Sequence, residues 1–154
     1  MTSTDTIHTD AWIISMPHDW IEKGQTEEGA LYFEASDGSK GIYITTWHLA
    51  ETDTRTSEQI AESFKAIDLR SLQDMDGYSW RTVAEVAEHL PNSIAVITDS
   101  LAEAKCYRLV GKILARPPVV VRATFHDYDC SQYRESLAWF SPIIQSLQFN
   151  DGTV

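Results

Sequence analysis

The chain has 154 residues, 43% of them hydrophobic and 23% charged, which suits one folded domain that buries its core without disulfides or metal. Twelve Lys and Arg stand against 23 Asp and Glu, and the formal charge of −11 repels phosphate backbones and sets nucleic acid aside as a partner. Two cysteines are too few for a disulfide scaffold and match no paired-cysteine zinc spacing.

Residues 1–11 read as a disordered or extended tail. Met1 to Asp10 carries no Lys or Arg, and the apolar run Ala11 to Met16 is far too short for a signal-peptide core or a membrane span. The expectation is a cytoplasmic protein, mature as written, with no membrane contact. Trp12 to Met16 should form a first strand, ended by Pro17, which has no amide to give to a ladder. Pro17 to Gly29 reads as a long loop.

Ala30 to Ala35 and Lys40 to Leu49 then flank an Asp37-Gly38 pair, a strong hairpin signal where both turn residues take positive φ. A two-residue turn there sets Phe33 against Ile42 and Leu31 against Ile44, with apolar side chains on one face. Thr56 stands three residues before Gln59, the spacing of a capping box, and predicts a helix running to about Leu72. Its stripe is Ile60, Phe64, Ile67 and Leu72, with Glu58, Glu62 and Lys65 left for solvent.

After the Asp76-Gly77 break, Trp80 to Leu90 and Ser93 to Leu101 read as two strands around Pro91 and Asn92, with helix as the alternative for Val83 to His89. Cys106 to Ala115 and Val119 to Tyr128 flank Arg116, Pro117 and Pro118. A hairpin centred there places Leu109 opposite Phe125, Gly111 opposite Ala123 and Ile113 opposite Val121, and leaves Arg108, Val110, Lys112, Arg122, Thr124 and His126 on a mixed face. The same register brings Cys106 and Cys130 together as two reduced thiols. A last helix spans about Ser131 to Leu147 on the stripe Tyr133, Leu137, Phe140, Ile144 and Leu147. Pro142 withdraws the bond to Ala138, so a kink or restart is expected near Ser141. Residues 150–154 complete the chain as a tail. The fold class that follows is α+β, a single antiparallel sheet of six or seven strands with two main helices packed on it, in the order β-β-β-α-β-β-β-β-α over residues 12–149.

This order, with Met16, Pro17, His18, Asp19 and Trp20 at a strand end and Ile143, Ile144, Gln145, Ser146 and Leu147 at a helix end, resembles the PsbP-like fold group. That group includes an extrinsic subunit of photosystem II and a release factor of the Ran GTPase. The resemblance spans Trp12 to Phe149 and implies an antiparallel sheet with helices on both faces. It also implies a binding or accessory module, with no catalytic signature to carry over. The chain lacks the targeting segment of the photosynthetic members, which argues against their role.

His126, Asp127, Asp129 and Cys130 are the one cluster of ligand-type side chains, yet neighbours on a strand point to opposite faces, so no metal site is expected. His18 with Asp19, and His48 after Trp47, lack a nucleophile to serve. No phosphate loop, dinucleotide fingerprint, G-x-S-x-G or H-E-x-x-H occurs, so no enzyme and no cofactor are expected. Trp139 lies off the last helix's stripe, about 200 degrees around from Leu137, and is either covered by a loop or part of a contact surface. Glu51, Asp53, Glu58 and Glu62 gather near the first helix start and form a candidate docking patch, although a solvated face favoured by the helix dipole is the simpler account of them. The leading expectation is a non-enzymatic, cytoplasmic, bacterial-type adaptor or immunity-like domain that meets another protein, of basic charge, through Glu51, Asp53, Glu58, Glu62 and Trp139. A second is a small-molecule or lipid binder with a cleft between sheet and helix around Trp20 and Trp47. An enzyme of unknown type is the third.

Overall fold

The computed structural model describes residues 3–27 and 29–152. Its main sheet has seven antiparallel strands in the order β3-β4-β5-β9-β8-β7-β6, formed by Ile21–Gln25 (β3), Leu31–Glu34 (β4), Lys40–His48 (β5), Arg81–Leu90 (β6), Ser93–Ala102 (β7), Tyr107–Arg116 (β8) and Val119–Asp127 (β9). A second sheet of three strands, β1 (Thr4–His8), β2 (Trp12–Pro17) and β10 (Gln148–Phe149), runs in the order β1-β2-β10. Helix α1 covers Ser57–Gln73 and α2 covers Tyr133–Ser146. The α+β class, the seven-stranded sheet and its antiparallel sense are as expected; the second sheet corrects the expectation of a single one.

The unforeseen strands are those without an apolar face. All of β3 is exposed, and it carries a bulge between Glu22 and Gly24, where Gly24 takes φ 92°. An edge strand of this kind leaves no period in the sequence, which is why Pro17 to Gly29 read as a loop. β1 is likewise nearly all exposed and pairs with β2 from Thr4↔Pro17 to His8↔Ile13, so the expected tail is ordered there into a strand. β10 is only two residues long, opposite Ile13 and Trp12.

The β4–β5 hairpin keeps the expected register, with Leu31 opposite Ile44 and Phe33 opposite Ile42. Its turn differs, because Gly38 alone is left-handed, at φ 75°, while Asp37 is not. The Ser39 amide donates to Asp37 Oδ1 at 2.9 Å, a side-chain bond that favours Asp here without positive φ. The capping box of α1 forms as spaced. Thr56 Oγ1 accepts from the Gln59 amide at 3.1 Å, and Gln59 Oε1 accepts from the Thr56 amide at 2.9 Å. Ile60, Ala61 and Leu72 are buried, but Ile67 is 59% exposed and so leaves the expected stripe. Both β6 and β7 are strands, β6 without a buried residue, so the helical alternative for Val83 to His89 does not form.

The β8–β9 register is shifted by one residue from the expected one. Only Pro117 and Pro118 turn the chain, through a cis peptide, and Leu109 faces His126 rather than Phe125. A one-residue slip exchanges the faces of a strand. Val110, Lys112 and Leu114 therefore lie with Phe125, Ala123 and Val121, while Leu109, Gly111 and Ile113 lie with His126, Thr124 and Arg122.

These two faces carry the two cores. On one, Trp12, Ile14 and Met16 of β2 join Phe140, Ile143, Ile144 and Leu147 against Phe33, Ile42, Val110 and Phe125. On the other, Ile60 and Ala61 of α1 meet Ile94, Val96, Ile113, Ala115 and Val120. Helices thus cover both faces, as the resemblance implied. Helix α2 runs as one element through Pro142, and its buried residues are Ser136, Phe140, Ile143 and Ile144, whereas Leu137 of the expected stripe is 40% exposed.

The slip also drives two cations inward. Arg108, 2% exposed, donates to both Asp99 oxygens at 2.9 Å and to Ser136 Oγ at 3.0 Å, while the Tyr133 hydroxyl donates to Asp99 at 2.6 Å. This bidentate pair ties the first turns of α2 to the sheet. Lys112 Nζ donates to the Ile144 and Leu147 carbonyls at 2.7 and 2.8 Å, satisfying orphan groups at the helix C-terminus, although burial lowers its pKa to about 8. Cys106 and Cys130 meet as expected: the Cys130 amide donates to the Cys106 carbonyl at 2.7 Å, and both thiols are free.

Candidate functional site

Trp139 projects from the α2 surface at 40% exposure, one turn before Ile143 at the edge of the helix's buried face. It does not stand alone. A turn after β2, closed by the Trp20 amide donating to the Pro17 carbonyl at 3.2 Å, lays Trp20 against it with ring centroids 5.8 Å apart and planes 21° from parallel. Both indoles rest edge-on against Phe140, at 6.4 and 4.8 Å, so the stacked pair is anchored to the core. One residue thus comes from the segment after β2 and the other from the last helix.

Hollows of about 450 and 170 Å³ flank this pair, and both are lined by Lys40 and Trp139, which makes them one groove. Asp19 and Asp37 lie along one stretch of it, Asp129 and Glu135 along the other. Ser36 Oγ donates to Asp19 at 3.2 Å. The amide and hydroxyl of Ser39 hold the Asp37 carboxyl below the usual carboxylate range, so it is ionised at neutral pH. Among the described residues the one cation lining the groove, Lys40, sits 4.9 Å from the centre of the Trp139 ring and 3.8 Å from buried Asp127. The groove can therefore hold a cationic side chain between carboxylates while offering an indole face to its apolar stem.

The other expected site residues lie elsewhere. Trp47 is on the opposite face of the main sheet, edge-on to Phe64 of α1 at 5.8 Å, so Trp20 and Trp47 share no cleft. Glu51, Asp53, Glu58 and Glu62 cluster around the start of α1, away from Trp139. Asp53 is paired with Arg55 at 2.8 Å and Glu62 with Lys65 at 3.0 Å, so half of their charge already has a cationic partner on this chain, and Glu58 lies 3.6 Å from the His89 ring. His126 and Asp127 point to opposite faces, and among the described residues no group of three His, Cys, Asp or Glu could hold a metal ion. No helix among the described residues is long and apolar enough to cross a membrane. The pairing of Trp20 with Trp139 left no local trace, because 118 residues separate them in the sequence; the exposure of Trp139 alone was readable, from its position off the stripe.

No family model matches the chain, and no curated protein does. Among solved structures, cyanobacterial PsbP (CyanoP) from Synechocystis sp. PCC 6803 is similar, with a TM-score of 0.70 and 10% identity over 97% of this chain and 94% of that one. The Ran-binding protein Mog1p of Saccharomyces cerevisiae is similar as well, with a TM-score of 0.62 and 8% identity over 96% of each chain. At such identities the likeness is one of fold, and it extends over nearly the whole length of all three.

Proposed function

From the PsbP-like fold that this chain shares with those two structures, we propose that it is a non-enzymatic binding module, adaptor-like or immunity-like, which seats a basic segment of another protein in the Trp20–Trp139 groove. The observation that carries this is a half-exposed indole, stacked and anchored, set among five carboxylates, of which buried Asp127 faces Lys40, the one lysine lining the groove among the described residues. Exposed tryptophans supply much of the energy where proteins meet, because they remove large apolar area from water at small entropic cost. The carboxylates add steering and selection for Lys or Arg. Lys40 over the Trp139 ring already displays the contact that a partner's cation would make. Mog1p is a Ran-binding protein, which supports a protein as the kind of partner. An acidic, cysteine-poor chain suits the cytoplasm, which is part of the proposal.

The test is affinity capture from the native host with the chain and its Trp139→Ala variant, washed at low salt and at about 0.5 M, where screening reaches only a few ångströms. A protein held by the native chain at low salt, and lost both at high salt and with the variant, is the expected result. Equal retention by the variant, or no retained protein, would sink the proposal. Trp139 is more than half covered, by Trp20, Phe140 and Lys40, so the variant should melt below the native chain, and the capture is run well below both melting temperatures.

A further inference from the structure

Helix α1 covers only the end of its sheet face where Ile94, Ile113, Ala115 and Val120 meet Ile60 and Ala61. Beyond this contact lies a cavity of about 560 Å³, within the range of ordinary small-molecule sites. Asp68, Leu69 and Leu72 of α1 line one side, and Tyr43 and Trp47 of β5 another. Its sheet side includes Thr98, Gly111 and Thr124. Gly111 keeps this floor open, since a Cβ there would lie 3.1 Å from Thr98 Oγ1.

Three hydroxyl groups line the cavity from β5, β7 and β9. Thr124 Oγ1 is engaged by His126 Nε2 at 2.9 Å. Thr45 and Thr98 are only 9% and 8% exposed, and among the described residues neither hydroxyl has a hydrogen-bond partner. Neither hydroxyl is sealed from solvent, so both face the hollow with a donor and an acceptor open to a guest's polar atoms. The charges at the cavity cancel. Arg122 donates through Nε to Asp68 at 2.8 and 2.9 Å, and its second nitrogen lies 2.8 Å from the same carboxylate. An ionic guest would lose water here and gain no free counter-charge.

We propose that this cavity binds an uncharged, ring-bearing small molecule, stacked on Tyr43 and Trp47, whose hydroxyl or carbonyl group bonds to Thr45 and Thr98. The site is on the opposite face of the sheet from the tryptophan groove and stands independently of it.

2-Naphthol serves as a neutral probe and naphthalene-2-sulfonate as its anionic counterpart, each titrated at neutral pH by calorimetry and by Trp47 fluorescence. Saturable binding of one naphthol per chain is expected, with the sulfonate bound at least tenfold more weakly. Leu69→Trp, which fills the cavity, should abolish binding, and Thr98→Val, equal in volume and lacking the hydroxyl, should weaken it about fivefold. Trp139→Ala should leave it unchanged. Absence of saturable naphthol binding, equal binding of the sulfonate, or unchanged affinity in Thr98→Val would each overturn the proposal. Should Leu69→Trp fail to fold, Thr98→Val and the sulfonate comparison still decide.

Discussion

His126 gives this protein its clearest acid sensitivity. Burial, reinforced by the nearby charge of Arg122, pushes its pKa from the usual 6.5 down to about 4, and the neutral ring accepts a hydrogen bond from the Tyr107 hydroxyl at Nδ1 while its Nε2–H donates to Thr124. Between those two values the unfolded chain binds a proton that the folded chain does not. The stabilisation is therefore complete above about pH 6.5 and is lost as the pH falls toward 4. Melting temperature measured from pH 7.5 to 4 should fall through that window, and His126→Asn should flatten the fall. The Tyr107 contact was not legible locally, since it reaches the imidazole only through the β8–β9 register, whereas Thr124 lies two residues before the histidine on the same strand. Arg108 and Lys112 were hidden for the same reason: Asp99, Ser136 and the α2 carbonyls that satisfy them are distant in sequence. Thr56 with Gln59 was readable because a capping box is complete within four residues.

At the scale of the element, what a segment buries decides how well it can be read. Helix α1 announced its start, and Thr56→Ala should cost about 1 kcal/mol by chemical denaturation, the usual value of a lost side-chain cap. The β4–β5 register was legible because Leu31, Phe33, Ile42 and Ile44 alternate cleanly, whereas Leu109 through Ala115 of β8 is apolar in both phases and left the register to a turn that the sequence did not define. Across β4 and β5, the Tyr32 ring lies over Gly41, where a Cβ would come within 2.7 Å of it, and stacks on Tyr43 at 4.3 Å. Gly41→Ala should accordingly destabilise by about 1–3 kcal/mol. In a Tyr32→Ala background the same change should cost far less, and a double-mutant cycle showing simple additivity would remove the explanation.

For the whole molecule, charge and layering act together. The formal charge of −11 is unrelieved over much of the surface, while two of the twelve cations, Arg108 and Lys112, are buried. Self-repulsion of this size favours the expanded chain and is screened by salt. Melting temperature should therefore rise by a few degrees from about 10 mM to 150 mM sodium chloride, as read by differential scanning calorimetry; a fall would mean that the surface ion pairs matter more. Two helices packed on an antiparallel sheet were legible from the order of apolar periods, and their placement on both faces was implied by the resemblance alone. The second sheet was not, because β1 and β10 contribute almost no buried side chain and are held by pairing with β2.

That small sheet has a bearing on how the protein is made. Trp12, Ile14 and Met16 leave the ribosome well before Phe140, Ile143, Ile144 and Leu147, which cover them, and β2 gains its second neighbour only when Gln148 and Phe149 arrive. The larger core thus cannot close until the strand after α2 has been made. Its apolar lining stays open to chaperones until the final turns of the last helix have emerged.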